Sequence, residues 1–317
     1  MTVSVVPSKP EAPASAAPAM RFASRAALDR FGLPGWVQAM PIGIVFALFF
    51  VLPLIFVVIV SFWDYNDYQM LPTFTWRSYT ESFEGCYDKF PDCTILKTYA
   101  STLKFCAIVW ALTLVLGFSI AYFLAFHIRS TTTQMVLFLV CTIPFWTSNV
   151  IRMISWIPLL GRNGLVNQVL VSSHVVNQPL EWLLYSPFSV ALAFVHLFTF
   201  FMVAPIFNSM MRIDRRLMEA AYDAGANGFQ MLTNVVIPLC KPGIAIGSIF
   251  VVTIVMGDFI TFDVMGGEQI ASAGKVVETR LNALQFPPAA ANAVILLAVT
   301  LLIIVALNRV VDVQKEL

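Results

Sequence analysis

Long apolar runs separated by short polar stretches dominate the chain. Six of them, roughly 38–62, 101–126, 135–158, 187–210, 243–263 and 289–308, stand out. Each reaches the length of a helix that crosses a bilayer core, about 20 residues. Pro53, Pro144 and Pro205 fall inside these runs. Membrane helices accept proline more readily than soluble ones, because neighbouring helices re-satisfy the freed backbone groups. The third and fifth runs also carry ionisable side chains. The pattern predicts an all-α membrane protein with six transmembrane helices.

Composition agrees with this reading. The chain is 59% hydrophobic and 12% charged, whereas soluble domains carry about 25% charged residues. A net charge of +1 supports no nucleic-acid partner. Placement of Lys and Arg sets the expected orientation. Lys9, Arg21, Arg25 and Arg30 precede the first run, Arg129 follows the second, and Arg212, Arg215, Arg216 and Lys241 follow the fourth. Arg309 and Lys315 lie in the tail, while loop 64–98 is mostly acidic. The positive-inside rule then puts both termini in the cytoplasm, in keeping with an even number of spans.

The first 35 residues are rich in Ala, Pro and Ser. They lack the apolar core of a cleaved signal peptide. The stretch to Pro18 is expected to be disordered. Residues 20–31 read either as a short basic amphipathic helix on the inner leaflet or as a basic tail that only fixes topology. Cys106, Cys141 and Cys240 fall in helices and read as small packing residues. Cys86 and Cys93 share the acidic outer loop, where an oxidising compartment makes a disulfide the expected state. No cysteine pair or His-rich tract has metal-ligand spacing.

Enzymatic motifs fail. There is no HExxH and no GxSxG. The nearest phosphate-loop candidate, 266–276, has six residues between Gly267 and Gly274, and Val276 follows Lys275. A phosphate loop needs four residues between its glycines and Ser or Thr after the lysine. The chain is therefore not expected to be an enzyme.

Residues 219–238, EAAYDAGANGFQMLTNVVIP, form the one long polar stretch between two cytoplasm-facing ends. Arg215 to Ala224 favours helix, Gly225 permits a turn that a side chain would resist, and Pro238 and Pro242 are expected to stop the second short helix and restart the chain into the fifth span. Glu219, Ala220 and Ala221, three residues before Gly225, with Val235, Ile237 and Pro238 following at fixed spacing, resemble the EAA signature of ABC importer permeases. Val235 and Ile237 stand where that pattern has Ile and Leu. From about Thr98 to Leu307 the chain resembles the type I transmembrane domain of binding-protein-dependent importers. The resemblance divides the chain into an N-terminal segment (1–35), a first helix and periplasmic loop (36–97), the transmembrane domain (98–307) and a cytoplasmic tail (308–317). Residues 144–156, 159–167, 236–244 and 256–267 are similar to the spermidine/putrescine permease branch. That branch also serves opine-type, amino-acid-like and aminoethylphosphonate solutes.

The resemblance implies a cytoplasmic coupling helix at 219–238 that docks on an ATPase, with Glu219 capping or pairing there. It implies two ATP-binding subunits, a second permease chain of different sequence, and a periplasmic solute-binding protein, all at the bacterial inner membrane. ATP and Mg would sit on the ATPase, and this chain would carry no cofactor. Alternating access would move a polyamine or a related cationic or zwitterionic solute. The rival class is an ion-gradient-driven secondary transporter, which would need inverted repeats or an acidic relay; a channel or scaffold is a further rival.

Four ionisable residues lie in the apolar runs: Arg152, His196, Asp258 and, near the outer end, Asp263. Such groups are costly in lipid and are usually functional or paired. Counting about 1.5 Å per residue along unbroken helices puts Arg152 and Asp258 at matching depth. They either pair with each other or with backbone and only shape the bundle, or they line the solute cavity, where Asp258 would attract an amine. Trp146, Asn149, Met153 and Trp156 are spaced to share one helix face, a face suited to packing or to cradling a cation. His196 is expected to be a buried hydrogen-bonding group, and Pro144 to bend the third helix.

Overall fold

A computed structural model describes residues 35–66, 69–84, 86 and 93–310. The expectations for residues 1–34 and 311–317 therefore lie outside the described residues. The chain divides into two units, 1–55 and 56–317. The described part of the first, 35–55, is helical and almost wholly exposed, and most of it belongs to α1 (Ala39–Val60).

In the second unit a short hairpin, β1 (Trp63–Tyr65) with β2 (Met70–Phe74), precedes α2 (Arg77–Ser82). Phe62, Phe74, Trp76 and Tyr79 stack around the hairpin with ring centroids 5.0–6.0 Å apart. Arg77 ties α2 to β1, donating to Glu81 at 2.7 Å and to Asp64 at 3.3 Å. These contacts hold its guanidinium above the usual range, led by the hydrogen bond to Glu81.

The spans follow. They are α3 (Thr94–His127), the bent pair of α4 (Thr131–Trp146) with the segment Asn149–Ser172, which opens with α5 (Asn149–Ile154), then α8 (Pro187–Met210), α10 (Gly228–Gly257) and α13 (Phe286–Val310). Short helices α6 (Ile157–Leu160) and α7 (Leu165–Ser172) follow α5. The remaining helices are α9 (Arg215–Asp223), α11 (Ile260–Gly266) and α12 (Ala273–Asn282). Among the described residues five helices are long and apolar enough to cross a membrane, six if the bent pair counts as one.

The core is centred on α8, which packs most extensively on α10 and α3. Phe194, Phe198, Met202, Ile206 and Phe207 are all buried along it. Phe262 of α11 meets Phe105 and Phe194 edge-on at 5.2 and 5.1 Å, contacts worth about 0.5–1.5 kcal/mol each. In lipid no hydrophobic effect drives helices together, so close packing and interhelical hydrogen bonds must. Both occur here: Trp110 Nε1 donates to Ser248 Oγ at 2.8 Å, and Ser189 Oγ to the Met265 carbonyl at 2.8 Å.

Three expectations are corrected. The third span is not one helix over 135–158: the chain turns by 90° at Thr147–Ser148, whose backbones are extended. Pro144 sits in the 3-10 turn just before this break, where its missing N–H and ring discourage continued helix. The fifth span does not run 243–263. It begins at Gly228 and ends at Gly257, where Asp258 takes an extended conformation. Pro238 does not stop a helix. A π-helical bulge at Leu232–Val236 precedes it, and such a bulge absorbs the register change that a proline imposes.

Candidate functional site

The EAA segment folds as two helices around one glycine. Asp214 caps α9, its carboxylate accepting from Arg216 N at 3.0 Å. At the other end Gly225 N donates to the Tyr222 carbonyl at 2.8 Å and Ala226 N to the Ala221 carbonyl at 3.0 Å. These are the paired bonds of a Schellman motif, which needs a left-handed residue in the Gly225 position. Gly225 supplies it with φ +83°. Asn227 then caps α10: its Oδ1 accepts from Gln230 N at 2.8 Å, and Asn227 N donates to Gln230 Oε1 at 2.9 Å. Ile213, Met218 and Ala221 pack against the core, while Glu219, Ala220, Leu217 and Tyr222 face outward. The segment thus presents a rigid, mixed apolar and acidic face. Pro238 is half-buried within α10. The Asn227–Gln230 capping box was readable as N-x-x-Q; the reciprocal bonds around Gly225 were not.

The residues singled out along the third and fifth runs divide into three places. Trp146 precedes the 90° break and is 83% exposed, whereas Met153 beyond it is buried, so Trp146, Asn149, Met153 and Trp156 share no single face. The break also voids the depth count that matched Arg152 to Asp258. Arg152 is buried and donates from Nη2 to Asn149 Oδ1, while its Nε has no hydrogen-bond partner. Nearby, Trp156 Nε1 donates to His196 Nδ1 at 3.0 Å, the rings edge-on. His196 is exposed rather than buried, because α8 turns this side chain away from its core face.

Asp258 makes no pair with Arg152. Its Oδ1 accepts from Thr261 N at 2.8 Å and its Oδ2 from Thr261 Oγ1 at 3.0 Å. That geometry caps the start of α11 and holds the second half of the broken fifth run in place. Asp263 accepts from Lys275 Nζ at 2.6 Å, and Lys275 also reaches Glu278 at 3.0 Å. The Lys275 ammonium is held above its usual range, first by the Asp263 hydrogen bond and then by Glu278, against the opposing cost of burial. The i,i+3 spacing of Lys275 and Glu278 was legible; the partnership with Asp263 was not, because it crosses from α11 to α12. Cys86 and Cys93 are joined as a disulfide with Cα atoms 4.7 Å apart.

A bundle of spanning helices with two broken runs, and a capped helical elbow exposed at the end rich in arginine, defines a multi-pass membrane permease subunit. The profile of the family described as "Binding-protein-dependent transport system inner membrane component" matches residues 107–314. The chain belongs to that family, and is a permease subunit of a binding-protein-dependent ABC importer. It is 31% identical over 247 residues to the spermidine/putrescine transport system permease protein PotB of Haemophilus influenzae, covering 76% of this chain and 82% of that one. With the PotB of Escherichia coli it shares 30% identity over 275 residues, covering 85% and 96%. The crystal structure of a bacterial alginate ABC transporter, in complex with an alginate pentasaccharide-bound periplasmic protein, matches with a TM-score of 0.65 at 16% identity, covering 89% of this chain and 94% of that one. That likeness concerns the fold.

Proposed function

We propose that this chain is the membrane subunit through which an importer takes up spermidine, putrescine or a closely similar cation. The observation that carries the solute class is the similarity to PotB permeases over most of both chains. The coupling mechanism rests on the exposed elbow at Glu219–Pro238. In this reading two ATP-binding subunits, which hold ATP and Mg and perform the hydrolysis, each grip an elbow of this kind. One belongs to this chain and one to a second, homologous permease. Closure of the ATPases draws the elbows together and opens the pathway outward, and hydrolysis resets it. Glu219 pairs with a basic group on the ATPase, and Ala220 and Ala221 allow close approach. Both termini lie in the cytoplasm, on the side of Arg212, Arg215 and Arg216.

Within the pathway, Trp146, Asn149, Trp156 and His196 are placed to meet solute by their full or partial exposure, Asn149 while accepting from Arg152, and Trp156 and His196 while bonded to each other. Arg152 is buried, Asp258 is held by Thr261 and Asp263 by Lys275. Much of the selectivity then rests with the periplasmic binding protein that delivers the solute. The test is co-expression with genomic neighbours, followed by uptake of radiolabelled spermidine into proteoliposomes. ATP-dependent uptake with an ATPase recovered alongside this chain is expected. Recovery of no ATPase would overturn the coupling reading, and uptake driven by an ion gradient without ATP would favour the secondary-transporter class.

A further inference from the structure

At the arginine-rich end of the bundle, α8 and α10 enclose a groove of about 430 Å³. Its floor is set by a close helix contact: a Cβ on Gly243 would lie 2.6 Å from the Pro205 carbonyl oxygen and 2.7 Å from Ser209 Cβ. Its walls follow helix periodicity. Ala204 and Asn208 on α8 are followed at the same four-residue spacing by Arg212 in the turn just past its end, and Pro242, Ile246 and Phe250 recur every four residues on α10. The two helices run in opposite directions, so Arg212 and Pro242 mark one end of the groove, and Ala204 and Phe250 the other, about 12 Å deeper. One end is cationic and hydrogen-bonding; the other is apolar, with Ile246 and Phe250 43% and 49% exposed.

The Arg212 side chain has no carboxylate partner among the described residues, and neither does that of Lys241 beside Pro242. An exposed guanidinium at the mouth of an apolar groove asks for a ligand with an anionic head and a hydrocarbon body. The cationic solute of the proposed transport reading is repelled there. The geometry points to an anionic phospholipid, its phosphate on Arg212 and an acyl chain along Ile246 and Phe250, drawn from the leaflet at this end of the bundle. Basic pockets between membrane helices hold anionic headgroups in this way. The site lies within reach of the elbow: Arg212 is two residues from Asp214, which caps α9. A lipid seated on it would bear on the hinge between α8 and the ATPase-facing helix.

The experiment uses the whole importer purified in detergent. It is titrated with phosphatidylglycerol or with phosphatidylcholine of the same acyl chains, and retained lipid is counted by native mass spectrometry. Wild type is expected to retain phosphatidylglycerol in preference. Arg212→Gln should reduce that retention about fivefold and leave phosphatidylcholine unchanged. Ile246→Trp, which fills the apolar end, should lower retention of both. Recovery of the ATPase with each variant reports intact assembly. Equal retention of the two lipids by wild type, or undiminished phosphatidylglycerol in Arg212→Gln, overturns the assignment. So does an Ile246→Cys cross-link to the second permease, because protein would then fill the groove. Retention is read without transport, so a failure of spermidine uptake bears on the transport reading alone.

Discussion

Gly225 offers a clean test of coupling, because its backbone and its surroundings make opposite demands. Its φ of +83° lies in the left-handed region, where an L-residue costs about 1–2 kcal/mol. A Cβ built there meets nothing within 4 Å, so the cost is conformational and not steric. Asn, which tolerates this region, should cost least; Ala should cost about 1 kcal/mol; Val, β-branched, should cost most. Each 1.36 kcal/mol is a factor of ten in the population of the native turn. A cost of about 2 kcal/mol in the Val variant lowers the equilibrium constant for the native turn about thirtyfold, while the buried core of α3, α8 and α10 keeps the protein in the membrane. The assay measures ATPase recovery and ATP-dependent uptake side by side for Gly225→Asn, Gly225→Ala and Gly225→Val. The expected order of activity is Gly, Asn, Ala, Val. Wild-type uptake in the Val variant would refute the reasoning. Equal losses for Asn and Ala would also refute it, because surface contact and not backbone conformation would then be the cause.

Glu219→Lys should abolish uptake and ATPase recovery without lowering membrane expression; retained ATPase would remove Glu219 from the interface. Asp258→Ala should destabilise the protein by about 1 kcal/mol through loss of the α11 cap, whereas Asp258→Asn, which keeps an acceptor, should leave the half-saturating solute concentration unchanged; a rise in the Asn variant would show that the carboxylate meets the cation. The raised Lys275 ammonium stabilises the fold at every pH below its ordinary value and loses that contribution only as pH climbs through the higher folded value, so wild-type stability should be flat in this respect from pH 6 to 9 (about 10.4 being the ordinary value). Lys275→Met leaves Asp263 and Glu278 facing each other, so the variant should melt below wild type at pH 7 and recover towards it near pH 4, where carboxylates protonate; a gap independent of pH would rule out the charge argument. Replacing Cys86 and Cys93 with Ser, which opens a loop with a sequence separation of 7, should cost about 2.5 kcal/mol on chain entropy alone, read as the melting difference with and without reductant.

The helical class, the number of apolar runs and the elbow were legible because each depends on local pattern. Hydropathy marks a span whatever its neighbours, and the glycine of a Schellman motif announces itself by residue type. What stayed hidden depends on breaks. Thr147 and Ser148 are ordinary polar residues in an apolar run, and nothing in their identity says that the backbone turns by 90° there. Once it turns, every inference that assumed a continuous helix fails together: the Trp146–Trp156 face, the depth of Arg152, and its pairing with Asp258. The end of the fifth span at Gly257 stayed hidden for the same reason, since the apolar run resumes at Phe259 and Ile260 directly after Asp258. Pro238 misled in the opposite sense. Proline reads as a stop, but a bulge one turn earlier lets the helix continue.

The uninterrupted course of α10 has a mechanical meaning. The second half of the elbow and the membrane span are a single 30-residue helix, about 45 Å long. A tilt of about 10° imposed at Phe229 would carry the Gly257 end sideways by about 8 Å, more than the width of a putrescine chain, with no change in any contact within the helix. The π-helical bulge at Leu232–Val236 and Pro242 are then the places where the helix can yield. In the coupling proposed above, their stiffness sets how much of an ATPase stroke reaches Asp258, where the helix ends and the broken run begins.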